Sequence, residues 1–135
     1  MRPLYESQGD LSREARVAER LCQAWDCQSL KLPVQYRVDF AMLVNRKIKA
    51  WLEVKCRNSY YDEMILSAAK FVTGQQLATS TNRPFVVAFG IGHDIYWRDC
   101  THDQPELELG GRADRQDWQD MEPVVMLPLN KFHKL

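Results

Sequence analysis

Two neighbouring stretches, "VQYRVDFAMLV" and "KIKAWLEVK", constrain this chain more than any others. Both alternate apolar and polar residues with a period of two, the signature of a half-buried strand. Val38, Phe40, Met42 and Val44 make one face of the first, and Ile48, Ala50, Leu52 and Val54 one face of the second. The short "NRK" between them predicts an antiparallel hairpin. Its wholly apolar face must pack on a layer of protein. The reverse face carries Arg37, Asp39, Ala41 and Leu43, then Lys49, Trp51, Glu53 and Lys55.

Register decides what the charges on that reverse face can do. If Val44 pairs with Ile48 across a three-residue loop, Asp39 lies opposite Glu53. A strict two-residue loop would set Asp39 opposite Leu52, on the wrong face. Only the odd register puts both apolar stripes on one side, and it gathers Asp39, Glu53 and Lys55 on the other. An E-x-K pair alone is most often a solvated ion pair. Here it has an aspartate at matching register, and a basic neighbourhood: from Lys31 to Arg57 seven bases stand against two acids. Adjacent carboxylates repel unless a cation sits between them. Hard oxygen ligands of this kind suit Mg²⁺ or Mn²⁺, which could polarise a phosphoryl oxygen and activate water. Lys55 could orient that water or balance charge growing on the phosphate.

Upstream, "LSREARVAERLCQAW" predicts a helix with Ser12 as its N-cap. Leu11, Val17, Ala18, Leu21, Cys22 and Trp25 form its apolar face. Glu14 projects into the middle of that stripe, one turn before Val17 and Ala18, where it could join the two carboxylates. Asp62–Thr79 reads as a second helix, with Ile65, Ala68, Ala69, Val72 and Gln76 on one face and Gly74 as a weak point. "PFVVAFGI" and "HDIYWRD" read as a strand pair turned at "GIGH". Residues 101–122 read as loop or short helix, and "PVVMLPL" as a short final strand placed at an edge by its two prolines. The order α, β, β, α, β, β suits an α/β domain with a central mixed sheet.

"VDFAML" followed by "LEVKCR" resembles the D…E-x-K signature of the PD-(D/E)XK nuclease superfamily, which includes restriction endonucleases, lambda exonuclease and archaeal Holliday junction resolvases. Val38 stands where the superfamily name has proline. The resemblance implies a restriction-endonuclease-like fold, a central mixed β-sheet flanked by helices with an αβββαβ core, over roughly residues 11–100. It implies Asp39 and Glu53 as metal-binding carboxylates, Lys55 as the catalytic lysine and the Val54 carbonyl as a further metal ligand. Glu14 corresponds to the acid that many members carry on the N-terminal helix. A polar residue of the following helix is expected near the site, Lys70 ahead of Gln75. Lys49 and Arg57, with Lys70 and Gln75, are the candidate nucleic-acid contacts. The activity implied is a Mg²⁺- or Mn²⁺-dependent DNA nuclease, an endonuclease in first place. The competing readings are a catalytically idle binding module on the same fold and an RNA nuclease.

Composition and the other motifs narrow the class. At 135 residues, 45% hydrophobic and 27% charged, the chain is expected to form one domain over 1–135 with a real core. No apolar run approaches membrane-spanning length and the start lacks an h-region, so a cytoplasmic protein without a signal peptide is expected. A phage or mobile-element origin is in keeping with so compact a nuclease. The cysteines Cys22, Cys27, Cys56 and Cys100 form no C-x-x-C pair and read as free thiols. Net charge is zero, which argues against a general nucleic-acid coat. His93, Cys100, His102 and Asp103 match no familiar zinc spacing, and "GIGH" lacks the Lys-Ser/Thr of a phosphate loop. Tyr60, Tyr61 and Trp97 could stack on bases but read as half-buried packing, and the basic "NKFHKL" end reads as frayed. Paired cutting would need a homodimer, which no heptad or apolar patch declares.

Overall fold

The computed structural model describes residues 8–111 and 121–135. Helix α1 (Gln8–Trp25) leads into β1 (Gln28–Lys31), a 3₁₀ turn at Val34–Tyr36, and the hairpin β2 (Phe40–Val44) and β3 (Lys47–Arg57). Then come β4 (Glu63–Ser67), α2 (Ala68–Thr81), β5 (Phe85–Ile91), β6 (Asp94–Asp99), β7 (Glu106–Gly111), β8 (Met121–Pro128) and β9 (His133–Lys134). Six strands form the central sheet in the order β1-β2-β3-β5-β6-β9, and β4-β8-β7 form a second sheet. Among the described strands of the central sheet only β3 and β5 run parallel, so that sheet is mixed, as expected. A parallel neighbour requires a crossover. Here β4 and α2 supply it.

The hairpin meets the predicted register by an unexpected route. Phe40↔Leu52, Ala41↔Trp51 and Met42↔Ala50 follow the odd register that places Asp39 level with Glu53. The tip does not: Val44 pairs with Lys47 and Leu43 with Ile48. Asn45 and Arg46 form a two-residue turn, both at positive φ (52° and 65°), the backbone that a tight right-twisted hairpin needs. A β-bulge between the two registers leaves Lys49 as the extra residue of β3. The short turn and the odd register therefore coexist, and the bulge reconciles them.

Both faces of the central sheet are covered. Phe40, Met42, Leu52 and Val54 pack with Val86 and Ala88 against Val17, Ala18 and Leu21 of α1. Ala41, Trp51, Val87 and Phe89 pack on the other face with Phe71 and Ala78 of α2 and with Met64, Leu66, Val125 and Leu127 of the second sheet. All seven residues of β5 are buried, as its unbroken apolar run requires for a strand covered on both faces.

Several expectations are corrected. Helix α1 already includes Ser12, which is therefore no N-cap. The first hairpin strand begins at Phe40, not Val34; a 3₁₀ turn and Arg37, at φ 63°, precede it. Residues 63–67 are strand β4, not the start of a helix. The buried face of α2 is Phe71, Gly74 and Ala78, while Val72 is 47% exposed. Around the central sheet α1, β1, β2, β3, α2 and β5 run in the αβββαβ order, with β4 of the second sheet inserted before α2. Residues 106–111 form β7 rather than loop; residues 112–120 lie outside the described residues. Strand β8 is the middle of its sheet, not an edge, and is followed by β9, which docks the C-terminal segment on β6. Trp97 packs edge-on to Trp25, but Tyr60 and Tyr61 are more than half exposed. Among the described residues no helix is long and apolar enough to cross a membrane.

Gly74 is where α2 meets the sheet, and not a weak point. A Cβ there would lie 2.3 Å from the Phe85 ring. Alanine would gain about 1 kcal/mol in helix propensity. The overpacking it forces should cost more, about 1–3 kcal/mol with the displacement of a buried ring. Gly74→Ala is therefore expected to lower the urea midpoint; a raised midpoint would contradict this close approach.

Candidate metal and nuclease site

Asp39 sits immediately before β2, and Glu53 and Lys55 project from one face of β3. The Asp39 carboxylate reaches across: its Oδ2 accepts a 2.8 Å hydrogen bond from the Val54 main-chain N–H. Its Oδ1 lies 3.4 Å from Lys31 Nζ, on β1. Lys31 joins the site because β1 pairs with β2; four exposed residues, "QSLK", give that strand no apolar pattern, so the sequence did not reveal it. Among the described residues Asp39 and Glu53 are the only charged ones that are buried, at 3% and 0% exposure.

Glu53 is the least compensated member. Neither of its oxygens meets water, and neither accepts a well-formed hydrogen bond. Lys70, on the first turn of α2, stands 3.4 Å from Glu53 Oε2, an ion-pair approach at the outer limit of hydrogen bonding. Burial pushes the Glu53 carboxyl well above its ordinary value, and the Asp39 charge adds to this; Lys70 only partly opposes both. Burial works against the Lys70 ammonium, yet Glu53, Asp39 and Glu14 together hold it above its ordinary value. Lys70 thus compensates the Glu53 charge only in part. An unsatisfied, buried carboxylate beside a second carboxylate fits a hard divalent cation.

The ligand set present is small. Among the described residues no three His, Cys, Asp or Glu side chains are gathered closely enough to hold a metal. Glu14 is not gathered with Asp39 and Glu53 in this geometry; its charge bears on Lys55 and Lys70. Asp39, Glu53 and the Val54 main chain remain, which suffices for Mg²⁺, an ion that keeps several waters and uses one or two carboxylates. Lys55 is half-buried, and its ammonium is pushed below the ordinary value by burial first, then by Arg57 and Lys70.

The other expected contacts divide. Lys70 is at the site. Arg57, two residues past Lys55, donates to the Ile65 carbonyl. Gln75 is engaged elsewhere: its amide donates to the Cys100 and Asp103 carbonyls, tying α2 to the turn after β6. Lys49 is exposed at the hairpin bulge, about 13 Å along β3 from Glu53. Cys100 is buried, and Asp103 is paired with Arg98 through two hydrogen bonds.

Comparison with known proteins bears on the fold and the family. No curated protein matches the sequence. The solved structure of Hjc from the archaeal hyperthermophile Archaeoglobus fulgidus, a Holliday junction resolvase, shares the fold with a TM-score of 0.59 over 90% of this chain and 91% of its own, at 14% identity. The sequence profile of one family, described as "Phage putative PDDEXK endonuclease", matches residues 1–135. The chain therefore belongs to that phage family and is a nuclease of the PD-(D/E)XK type.

Proposed function

We propose that this chain is a single-domain, divalent-metal-dependent DNA endonuclease, with Asp39, Glu53 and Lys55 at its centre. The observation that carries the reading is the buried Asp39–Glu53 pair with its unsatisfied Glu53 oxygens. DNA as the substrate, and not RNA, is supported by the phage endonuclease family and by the resolvase of similar fold.

Asp39, Glu53 and the Val54 carbonyl hold Mg²⁺ or Mn²⁺. The chemistry such a cation supplies is charge neutralisation at a phosphoryl oxygen and easier ionisation of water. The protein does the rest. The Val54 N–H fixes the Asp39 carboxylate, so the ligand oxygens are aimed before any cation arrives. Lys70 balances Glu53 in the metal-free site and keeps that carboxylate from being stranded. Lys55, half-buried, orients the attacking water and offers its ammonium to charge growing on the phosphate. Glu14 adds to the charges that favour the ammonium forms of Lys55 and Lys70. An idle module would have no physical reason to bury two carboxylates side by side.

Plasmid DNA incubated with Mg²⁺ or Mn²⁺ should be nicked or cut, and EDTA should stop the reaction. Asp39→Ala, Glu53→Ala and Lys55→Ala should each lower the rate by about 10²-fold or more. Cutting that survives these substitutions and EDTA would end the assignment.

The site also predicts a stability profile. Glu53 binds its proton more tightly in the folded chain, so its contribution is present in full below its ordinary value of 4.5 and is lost as pH rises through the raised folded value. Metal-free wild type should therefore lose melting temperature relative to Glu53→Gln as pH rises from 4.5 towards neutrality. Saturating Mg²⁺ should raise the wild-type melting temperature by several degrees, through preferential binding to the folded state, and leave Glu53→Gln unmoved. Equal shifts in both proteins would place the cation elsewhere.

A further inference from the structure

A cleft of about 230 Å³ opens between α1 and the carboxyl ends of the parallel strands β3 and β5. Its lining holds Arg13, Arg16, Arg20, Arg57 and Asn58, and no acidic side chain among the described residues. In a chain of zero net charge this is a marked concentration of positive charge. Arg13, Arg16 and Arg20 recur at i, i+3 and i+7, so α1 presents all three along one flank beside Val17. Arg57 comes from the far end of β3. These guanidinium groups are partly fixed in place: Arg20 donates to the His93 carbonyl, Arg13 to Asn58 Oδ1 at 3.3 Å, and Arg57 to the Ile65 carbonyl at 3.1 Å. Each bond uses one of a guanidinium's five N–H donors and leaves others to face a ligand. Arg16 is exposed at the rim. The cleft is too small for a drug-sized ligand but suits a compact anion.

We propose that this cleft is a second phosphate site, which grips a phosphate of the nucleic acid away from the bond being cut. The assignment rests on the nuclease reading above and extends it to substrate positioning. Forked guanidinium donors match the oxygens of a phosphate, and four of them around one small cleft form a clamp for it. The same strand links the two sites: β3 runs from Glu53 through Lys55 to Arg57, a rise of about 13 Å. The cleft thus receives a neighbouring stretch of backbone, and α1, which carries Glu14 towards Lys55, carries the clamp as well. Phosphate contacts set register and orientation without reading sequence.

The test is fluorescence anisotropy in EDTA with labelled oligonucleotides, each made with and without a 5′-phosphate, over a salt series. Wild type is compared with Arg16→Ala, with Arg16→Ala/Arg20→Ala, and with Arg83→Ala. Arg83 lies at the opposite end of β5 and serves as the control for removing charge. Circular dichroism and melting curves verify folding; Arg16, being exposed, leaves at least one informative variant. The double variant should bind about tenfold more weakly, with the slope of log K against log salt reduced by about 0.7–0.9 for each phosphate no longer neutralised, and Arg83→Ala should bind as wild type does. Equal weakening on both oligonucleotides identifies an internal backbone phosphate, and weakening confined to the phosphorylated one identifies an end phosphate; either supports the clamp. Wild-type affinity in the cleft variants, or the same weakening in Arg83→Ala, overturns it while leaving the nuclease intact. A wild type that neither binds nor cuts nucleic acid overturns both readings.

Discussion

The hydrogen bond from the Val54 N–H to Asp39 Oδ2 is the contact on which the site depends. It joins the residue before β2 to the middle of β3, beside Glu53, so that two carboxylates enter the protein interior together. Everything around them serves to hold that arrangement. The bulge at Lys49 sets the register that brings Asp39 level with Glu53. The parallel β3–β5 pairing places β3 inside the sheet, where both its faces are covered. The β4–α2 crossover that this pairing requires delivers Lys70 to Glu53. The geometry is held rigidly by the paired strand β3, which carries Glu53, and by the Val54 N–H, which fixes Asp39 just before β2.

Rigidity here works against stability. Fully burying Glu53 without a satisfying donor raises its carboxyl value, and the nearby Asp39 makes ionisation harder still. A sequence selected for stability alone would replace this pair with apolar residues of similar volume. Local conflict of that kind, in an otherwise well-packed core, is the physical mark of a functional position. Lys70 relieves the conflict only in part, which is what a site needs if it is to exchange a protein cation for a metal.

The parts of the fold that could be read in the sequence were those with strong periodicity. Phe40 and Met42 with Ala50, Leu52 and Val54 declared the hairpin and its buried face, and these stripes were enough to choose the register, because the buried stripes carry the larger energy. Val38, before β2, packs instead on the opposite side with Phe71, and Ile48, past the bulge, is exposed. The bulge was hidden: one extra residue at Lys49 leaves no pattern of its own. The strand Glu63–Ser67 was hidden because "EMILS" runs straight into "AAKFV", and a five-residue strand cannot be separated from a helix start by period alone. The middle position of β8 ran against its prolines, which stand near the strand's ends, where a missing N–H disturbs little. Asp39, Glu53 and Lys55 were legible because the E-x-K spacing and the hairpin register are both local. Lys31 was not, since it arrives through a strand with no apolar alternation. The arginines of α1 were equally hidden, because charges flanking an apolar stripe look like any solvated helix flank until a strand end closes a cleft beside them.

That the Asp39–Glu53 pair is a cation site is the central claim. The most direct measurement is anomalous diffraction from crystals soaked in saturating Mn²⁺. A single peak in contact with Asp39 and Glu53 oxygens is predicted, with Lys70 Nζ withdrawn from Oε2. An absence of density there, with Lys70 still against Glu53, would contradict the claim.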